Sequence, residues 1–108
     1  MKKENSIKFY KNLKTKNISI VLILAKFQNK WIFCKHKNRD TYEICGGHIE
    51  KNEALESAAK RKLYEESGAK CKELKLMGFL ANYNLNPTQY SALFYADIQK
   101  LDKLPNFE

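Results

Sequence analysis

Two glycines, Gly46 and Gly47, introduce a segment in which charged residues recur at helical spacing: GGHIEKNEALESAAKRKLYEESGA, residues 46–69. Seven of the chain's twelve acidic residues (Glu43, Glu50, Glu53, Glu56, Glu65, Glu66 and Glu73) fall in or beside it, although the formal net charge is +8. Carboxylates gathered in one part of a cationic protein point to a positive partner. Adjacent carboxylates such as Glu65 and Glu66 are hard oxygen donors suited to Mg²⁺ or Mn²⁺. Side chains four apart share a helix face. Glu53, Ser57, Arg61 and Glu65 therefore form one row, and Ala58, Lys62 and Glu66 the neighbouring one. The apolar stripe is thin (Ala54, Leu55, Ala58, Ala59 and Leu63), and helical angles put Lys62 and Glu66 near its middle. Charges in that position are partly buried and must be paired or bound to a metal. A solvated helix held by Arg61–Glu65 and Lys62–Glu66 pairs accounts for the same residues. The double glycine favours a site, because it lets backbone approach a ligand closely and frees a carbonyl to act as a donor.

Other elements must position this segment. The run from Asn17 to Phe27 (NISIVLILAKF) is continuous, apolar and rich in β-branched residues, which predicts a central strand buried on both faces. Gln28-Asn29-Lys30 is a turn, and Trp31 to Cys34 its hairpin partner. Lys35 to Asp40 reads as a polar loop, and Thr41 to Cys45 as a short extended piece feeding into the glycines. Asn52 is the predicted helix N-cap, with Glu53 in the first turn. Ala54 to Glu66 holds good helix formers, and Gly68 stands where a left-handed cap belongs. Beyond it come a strand through Leu74, Leu76, Phe79 and Leu80 interrupted near Gly78, a turn-rich loop at 82–88, and a last strand from Tyr90 to Ile98. Residues 1–16, with Ile7, Phe9, Tyr10 and Leu13 free to form a short strand or pack on the surface, read as a basic, partly ordered arm. Residues 17–108 read as one domain. This order of elements predicts an α/β (α+β) layered fold with a mixed sheet.

The bulk numbers narrow the function classes. A chain of 108 residues with 44% hydrophobic content supports one modest core. No run approaches a membrane span, and MKKENSIKFYKNLK lacks the apolar region of a secretory signal, so a cytoplasmic protein is expected. The net charge of +8 suggests an anionic partner, either nucleic acid or a phosphorylated small molecule. The cysteines Cys34, Cys45 and Cys71 are odd in number with no CxxC pair, so buried or half-buried free thiols are expected. Their spacing, with only His36 and His48 to assist, argues against zinc.

The segment resembles the Nudix box, G-x5-E-x7-R-E-U-x-E-E-x-G-U, where U is a bulky aliphatic. Gly47, Glu53, Arg61, Leu63, Glu65, Glu66 and Gly68 fill their places, and the similarity in order of elements extends from Ile18 to Ile98. The resemblance implies a mixed sheet flanked by helices. It implies hydrolysis of a nucleoside diphosphate linkage with Mg²⁺ or Mn²⁺. By position, Glu65, Glu66 and the Gly46 carbonyl would be metal ligands. Arg61 would orient the glutamates, and Glu53 would brace the loop or assist the metal. Gly47, Lys35 and His48 would face substrate phosphate. The MutT type further implies a nucleoside triphosphate substrate such as an oxidised purine nucleotide, 8-oxo-dGTP for example. Asn82, Tyr83 and Asn84 are candidates to line a base pocket.

Two positions and the length depart from the pattern. Lys62 stands where the box has the Glu of Arg-Glu, a metal ligand or general base in MutT-like members, and a protonated lysine repels a cation. Ala69 replaces a bulky aliphatic. The chain stops soon after Ile98, where the family continues into a further strand and a C-terminal helix, so that helix is expected to be lacking. An uncovered sheet edge would favour pairing with a second copy. A catalytically weak Nudix domain that binds nucleotide or a protein partner is therefore the second reading. A small basic nucleic-acid-binding domain, using lysines with Tyr83 and Tyr90, is the third.

Overall fold

The apolar run at 17–27 is a strand with neighbours on both edges, and the sheet is assembled on it. In the computed structural model, which describes residues 6–14, 17–35 and 42–101, the elements in chain order are β1 (Ile7–Tyr10), β2 (Ile18–Phe27), β3 (Lys30–Ile32), β4 (Cys34–Lys35), β5 (Tyr42–Glu43), β6 (Cys45–His48), α1 (Leu55–Ser67), β7 (Ala69–Asn82) and β8 (Gln89–Leu101). The large sheet runs β1-β7-β8-β2-β3, with β6 also paired to β2. The β2–β8 pairing is parallel and the others are antiparallel, so the sheet is mixed as expected. One edge of β2 is shared end to end: Ile20–Ile23 pairs with β6, and Ala25–Phe27 with β3.

Burial along β2 alternates. Val21, Ile23 and Ala25 are buried, whereas Ile20, Leu22 and Leu24 are half-buried. The strand predicted to be buried on both faces is thus fully covered on one. That face belongs to the main core, with Phe94, Ala92 and Ala96 of β8, Phe79 of β7, and Ala58, Ala59 and Leu63 of α1. The three helix residues are the apolar stripe read from the sequence. Among the described residues α1 is the one helix, and it packs on β6, β7 and β2.

Several local expectations change. The turn after β2 holds Gln28 and Asn29 at φ 50° and 63°. Two left-handed residues match the twist of a two-residue hairpin, so Lys30 already belongs to the returning strand. That strand breaks at exposed Phe33, and Cys34–Lys35 pairs instead with β5 in a separate two-stranded sheet. The two glycines lie inside β6, and a Cβ at Gly46 would collide with the Val21 carbonyl oxygen. Asn52 is not the N-cap: it takes φ 64°, and the cap position is Ala54, without a side-chain bond. The cause is Glu53, whose N–H donates to the Glu50 carbonyl at 3.0 Å while its carboxylate accepts from the Glu50 N–H at 3.0 Å. This reciprocal turn delays the helix. At the other end Gly68 is the left-handed cap at φ 72°, as predicted.

Strand β7 is continuous, but its register shifts between Leu76 and Gly78. A Cβ at Gly78 would meet the Phe9 ring and approach the Tyr10 carbonyl oxygen to 2.6 Å. Ile7–Tyr10, read as part of an arm, is therefore an edge strand seated on this glycine. Cys34 and Cys45 are joined in a disulfide with a Cα–Cα distance of 5.3 Å, which corrects the expectation of free thiols for these two. Cys71 is free and half-buried, and burial pushes its thiol pKa up. No helix among the described residues is long and apolar enough to cross a membrane.

Because Leu63 is fully enclosed where α1 meets the sheet, Leu63→Ala is expected to lower unfolding free energy by about 2–5 kcal/mol. Exposed Lys60→Ala is expected to stay within about 0.5 kcal/mol. Denaturant titration of both variants checks this, and equal losses would show that α1 is not held by its apolar stripe.

Candidate active site

Arg61 is the centre of the site. It projects from the middle of α1, where the i,i+4 spacing brings Glu65 alongside, and it reaches back over the turn that precedes the helix. Its Nε and Nη2 donate to the two Glu53 carboxylate oxygens at 2.8 and 2.9 Å, a two-pronged planar match. Nη2 also donates to the His48 carbonyl at 3.1 Å, and Nη1 donates to Glu65 at 3.3 Å. Glu50 lies 3.7 Å from Nη1. One guanidinium thus ties together strand β6, the 50–53 turn and the helix. The hydrogen bond from Arg61, helped by that from the Glu50 N–H, holds the Glu53 carboxyl at about 2, well below the usual carboxylate value. The same contact with Glu53 pushes the Arg61 pKa up from an already high value.

Glu66 lies one helical step away. Its Oε1 accepts from the Gly46 N–H at 3.0 Å, so the carboxylate is clamped to the glycine strand. Lys62 sits between the two adjacent glutamates: its Nζ is 3.7 Å from Glu65 Oε1 and 3.7 Å from Glu66 Oε2. The side chains of Lys62 and Glu66 are only 21% and 14% exposed, so both are partly buried and paired, as their place in the apolar stripe requires. The lysine stem lies over Gly47, where a Cβ would collide with Cε and come within 2.9 Å of Nζ. The absence of a side chain at Gly47 is what makes room for Lys62.

The carboxylates of the site suggest a divalent cation. Glu65 and Glu66 fit a hard divalent ion in donor type, and Mg²⁺ commonly uses one or two carboxylates with waters and phosphate oxygens. The Lys62 ammonium competes for the same two oxygens. Glu53 faces Arg61 and the Glu50 amide instead. His48 is exposed at the end of β6, and Lys35 pairs with Tyr42 in the small sheet. Asn82 and Tyr83 have local partners: the Asn82 side chain accepts from the Asn84 N–H at 3.1 Å, and the Tyr83 hydroxyl pairs with Tyr10 at 2.7 Å. Sequence reasoning missed that Cys34 and Cys45 lie against Glu66. The signal was indirect, since Cys45 precedes the glycine whose amide binds that glutamate, and Cys34 reaches it only through strand register.

The NUDIX domain pattern matches residues 14–106. The chain belongs to the Nudix family. A Bacillus subtilis (strain 168) sequence, YtkD, named as a candidate 8-oxo-dGTP diphosphatase, is 34% identical over 87 residues, covering 81% of this chain and 54% of that protein. A crystal structure of a mutant of the Bacillus subtilis pyrophosphohydrolase BsRppH superposes with a TM-score of 0.81 at 30% identity, covering 90% of this chain and 62% of that one. A NUDIX hydrolase from Nitrosomonas europaea shares the fold at 21% identity, with a TM-score of 0.64 and coverage of 84% and 67%. The chain thus spans little more than half the length of YtkD. In Nudix terms, the Arg61 network and the paired Glu65 and Glu66 are the centre of the box. Lys62 occupies the gap between those carboxylates.

The depressed Glu53 pKa gives a pH dependence whose sign is fixed. A carboxyl that ionises more easily folded than unfolded contributes stability above its ordinary value of 4.5, and that contribution fades as pH falls towards about 2. Glu53→Gln is therefore expected to lower the thermal midpoint at pH 6, with the difference from wild type narrowing between pH 4.5 and 2. Parallel melts across that range check it. A constant difference would mean that the loss is steric and not ionic.

Proposed function

We propose that this Nudix chain hydrolyses the pyrophosphate linkage of a nucleoside triphosphate, with an oxidised purine nucleotide such as 8-oxo-dGTP among its substrates. Glu65, Glu66 and the Gly46 carbonyl would hold Mg²⁺ or Mn²⁺. The observation that carries this reading is the Arg61 hub, which delivers Glu65 to the same place where the Gly46 amide fixes Glu66. The names of the Bacillus subtilis relatives support a pyrophosphohydrolase. When bound, the metal supplies charge neutralisation to the pyrophosphate and lowers the pKa of a water.

The chain's own residues do the rest. Arg61 keeps the carboxylates aligned and is itself held by Glu53. For a cation to bind, Lys62 would have to release Glu65 and Glu66, which would free its ammonium for a substrate phosphate oxygen. His48, exposed at the end of the glycine strand, and Lys35 would bind the same phosphates. The reading includes a cytoplasmic location and pairing of two copies along the outer edge of β1, where Ile7 and Phe9 are 53% and 52% exposed. A monomer in sedimentation at micromolar concentration would rule that pairing out.

A second reading rests on one specific contact. Lys62 Nζ sits 3.7 Å from both glutamates and is an internal substitute for the cation, which describes a domain that binds nucleotide or a protein partner with little turnover. Incubation with Mg²⁺ or Mn²⁺ and a nucleotide panel separates the two. Under the enzyme reading the wild type releases pyrophosphate, and Lys62→Glu works at lower metal concentration. Arg61→Lys, which loses the two-pronged contact with Glu53, is expected to lose about 10–100-fold in activity or metal affinity. An inert wild type beside an active Lys62→Glu would leave the second reading standing.

A further inference from the structure

Nothing in the proposed reaction uses Cys34 and Cys45. Their Sγ atoms and a Glu66 carboxylate oxygen all lie within 4.8 Å of one another, and no other three His, Cys, Asp or Glu side chains among the described residues gather this closely. The three donors come from three elements. Cys34 is on β4 opposite Glu43, Cys45 is on β6 opposite Ile23, and Glu66 is on α1, aimed by the Gly46 amide. Both cysteines are buried, at 3% and 0% exposure, so the sulfurs face the carboxylate in a region screened from bulk water.

Two sulfurs and one carboxylate are the donor set of a tetrahedral zinc site with one open position. Zn–S bonds of about 2.3 Å and Zn–O bonds of about 2.1 Å put neighbouring ligand atoms roughly 3.5 Å apart, so the two bonded sulfurs must separate, while each already lies within 4.8 Å of the carboxylate oxygen. Thiolates also select such ions over Mg²⁺. We propose that reduced Cys34 and Cys45 form, with Glu66, a binding site for a thiophilic divalent cation of the Zn²⁺ type, and that the disulfide is the closed form of this site.

Opening needs two electrons. A phosphine reductant supplies them: the S–S bond breaks, phosphorus takes the oxygen of one water as phosphine oxide, and the water protons leave two thiols. The cation then accepts a lone pair from each sulfur and one from Glu66 while two thiol protons go to solvent, and water fills the fourth position. Rotation about the Cα–Cβ bonds moves the sulfurs from bonding distance to ligand spacing without moving the strands. Cys34 lies on the smallest sheet, where β5 is its one strand neighbour among the described residues. Because Glu66 is shared, the thiophilic ion withdraws it from the proposed hydrolytic site. Only this last consequence rests on the proposed hydrolase function.

The test uses the full chain carrying Cys71→Ser, which removes the third thiol, kept in a phosphine without oxygen and titrated with Co²⁺ as the spectroscopic probe. The expected result is a sulfur-to-cobalt charge-transfer band that saturates at one equivalent, is displaced by Zn²⁺, and is absent after oxidation of the same sample with diamide. Cys34→Ser in that background is expected to lose the band. Glu66→Gln is expected to keep it with affinity weakened by about tenfold or more. No band in the reduced chain, or a band that persists after oxidation, overturns the proposal without any variant having to fold. Unchanged affinity in Glu66→Gln overturns the three-donor assignment. Zn²⁺ is further expected to block pyrophosphate release from reduced but not oxidised protein. If no release is seen under any condition, the hydrolase reading fails while the cobalt spectrum still decides the site.

Discussion

The structure around the box depends on how one guanidinium is shared. Arg61 has five N–H donors in a rigid fork, and they are distributed over the Glu53 carboxylate, the Glu65 carboxylate and the His48 carbonyl. Those three acceptors sit on the turn before the helix, on the helix, and on the glycine strand. Remove the fork and three segments lose their common point, while Glu53 is left largely enclosed without a counter-charge. A lysine in its place would give a single ammonium where a planar two-pronged match is needed. The same constraint explains the late helix start, because Glu53 cannot serve Arg61 and the Glu50 amide while the chain is already helical at Asn52.

Much of this was legible in the sequence because it depends on spacing along one helix. The i,i+4 rows placed Glu65 beside Arg61 and Glu66 beside Lys62, helical angles put Lys62 and Glu66 near the middle of the thin apolar stripe, and Gly68 marked the cap. What could not be read was set by contacts between distant segments. The N-cap moved from Asn52 to Ala54 because Glu53 bonds back to Glu50 and forward to Arg61. The hairpin partner of β2 broke at Phe33 because β6 takes the rest of that edge. Ile7–Tyr10 became a strand because Gly78 leaves space for the Phe9 ring. The Cys34–Cys45 bond is invisible to a spacing rule, since strand pairing and not the chain between them sets their distance.

Lys62 links the local electrostatics to the character of the whole chain. In a segment that concentrates carboxylates, it returns one positive charge to the place where two of them meet, and Gly47 provides the room. The pair of glutamates is therefore neutralised internally when no other cation is at hand, and a partly buried anionic pocket is never left uncompensated. Under the proposed hydrolase function, this contact trades affinity for a divalent ion against stability in its absence.

The division of one β2 edge between β6 and β3 has a consequence for how this protein can change. Each of the two short strands takes its register from β2 directly, so neither depends on the length of chain between Lys35 and Tyr42. The Cys34–Cys45 bond ties the ends of that stretch together beside the box. Doubling such a loop costs only about 0.6 kcal/mol in closure entropy. This is a position where insertions can accumulate next to the glycine strand without shifting a single side chain from one face of the sheet to the other, and so a natural place for lineages of this fold to diverge in what they admit.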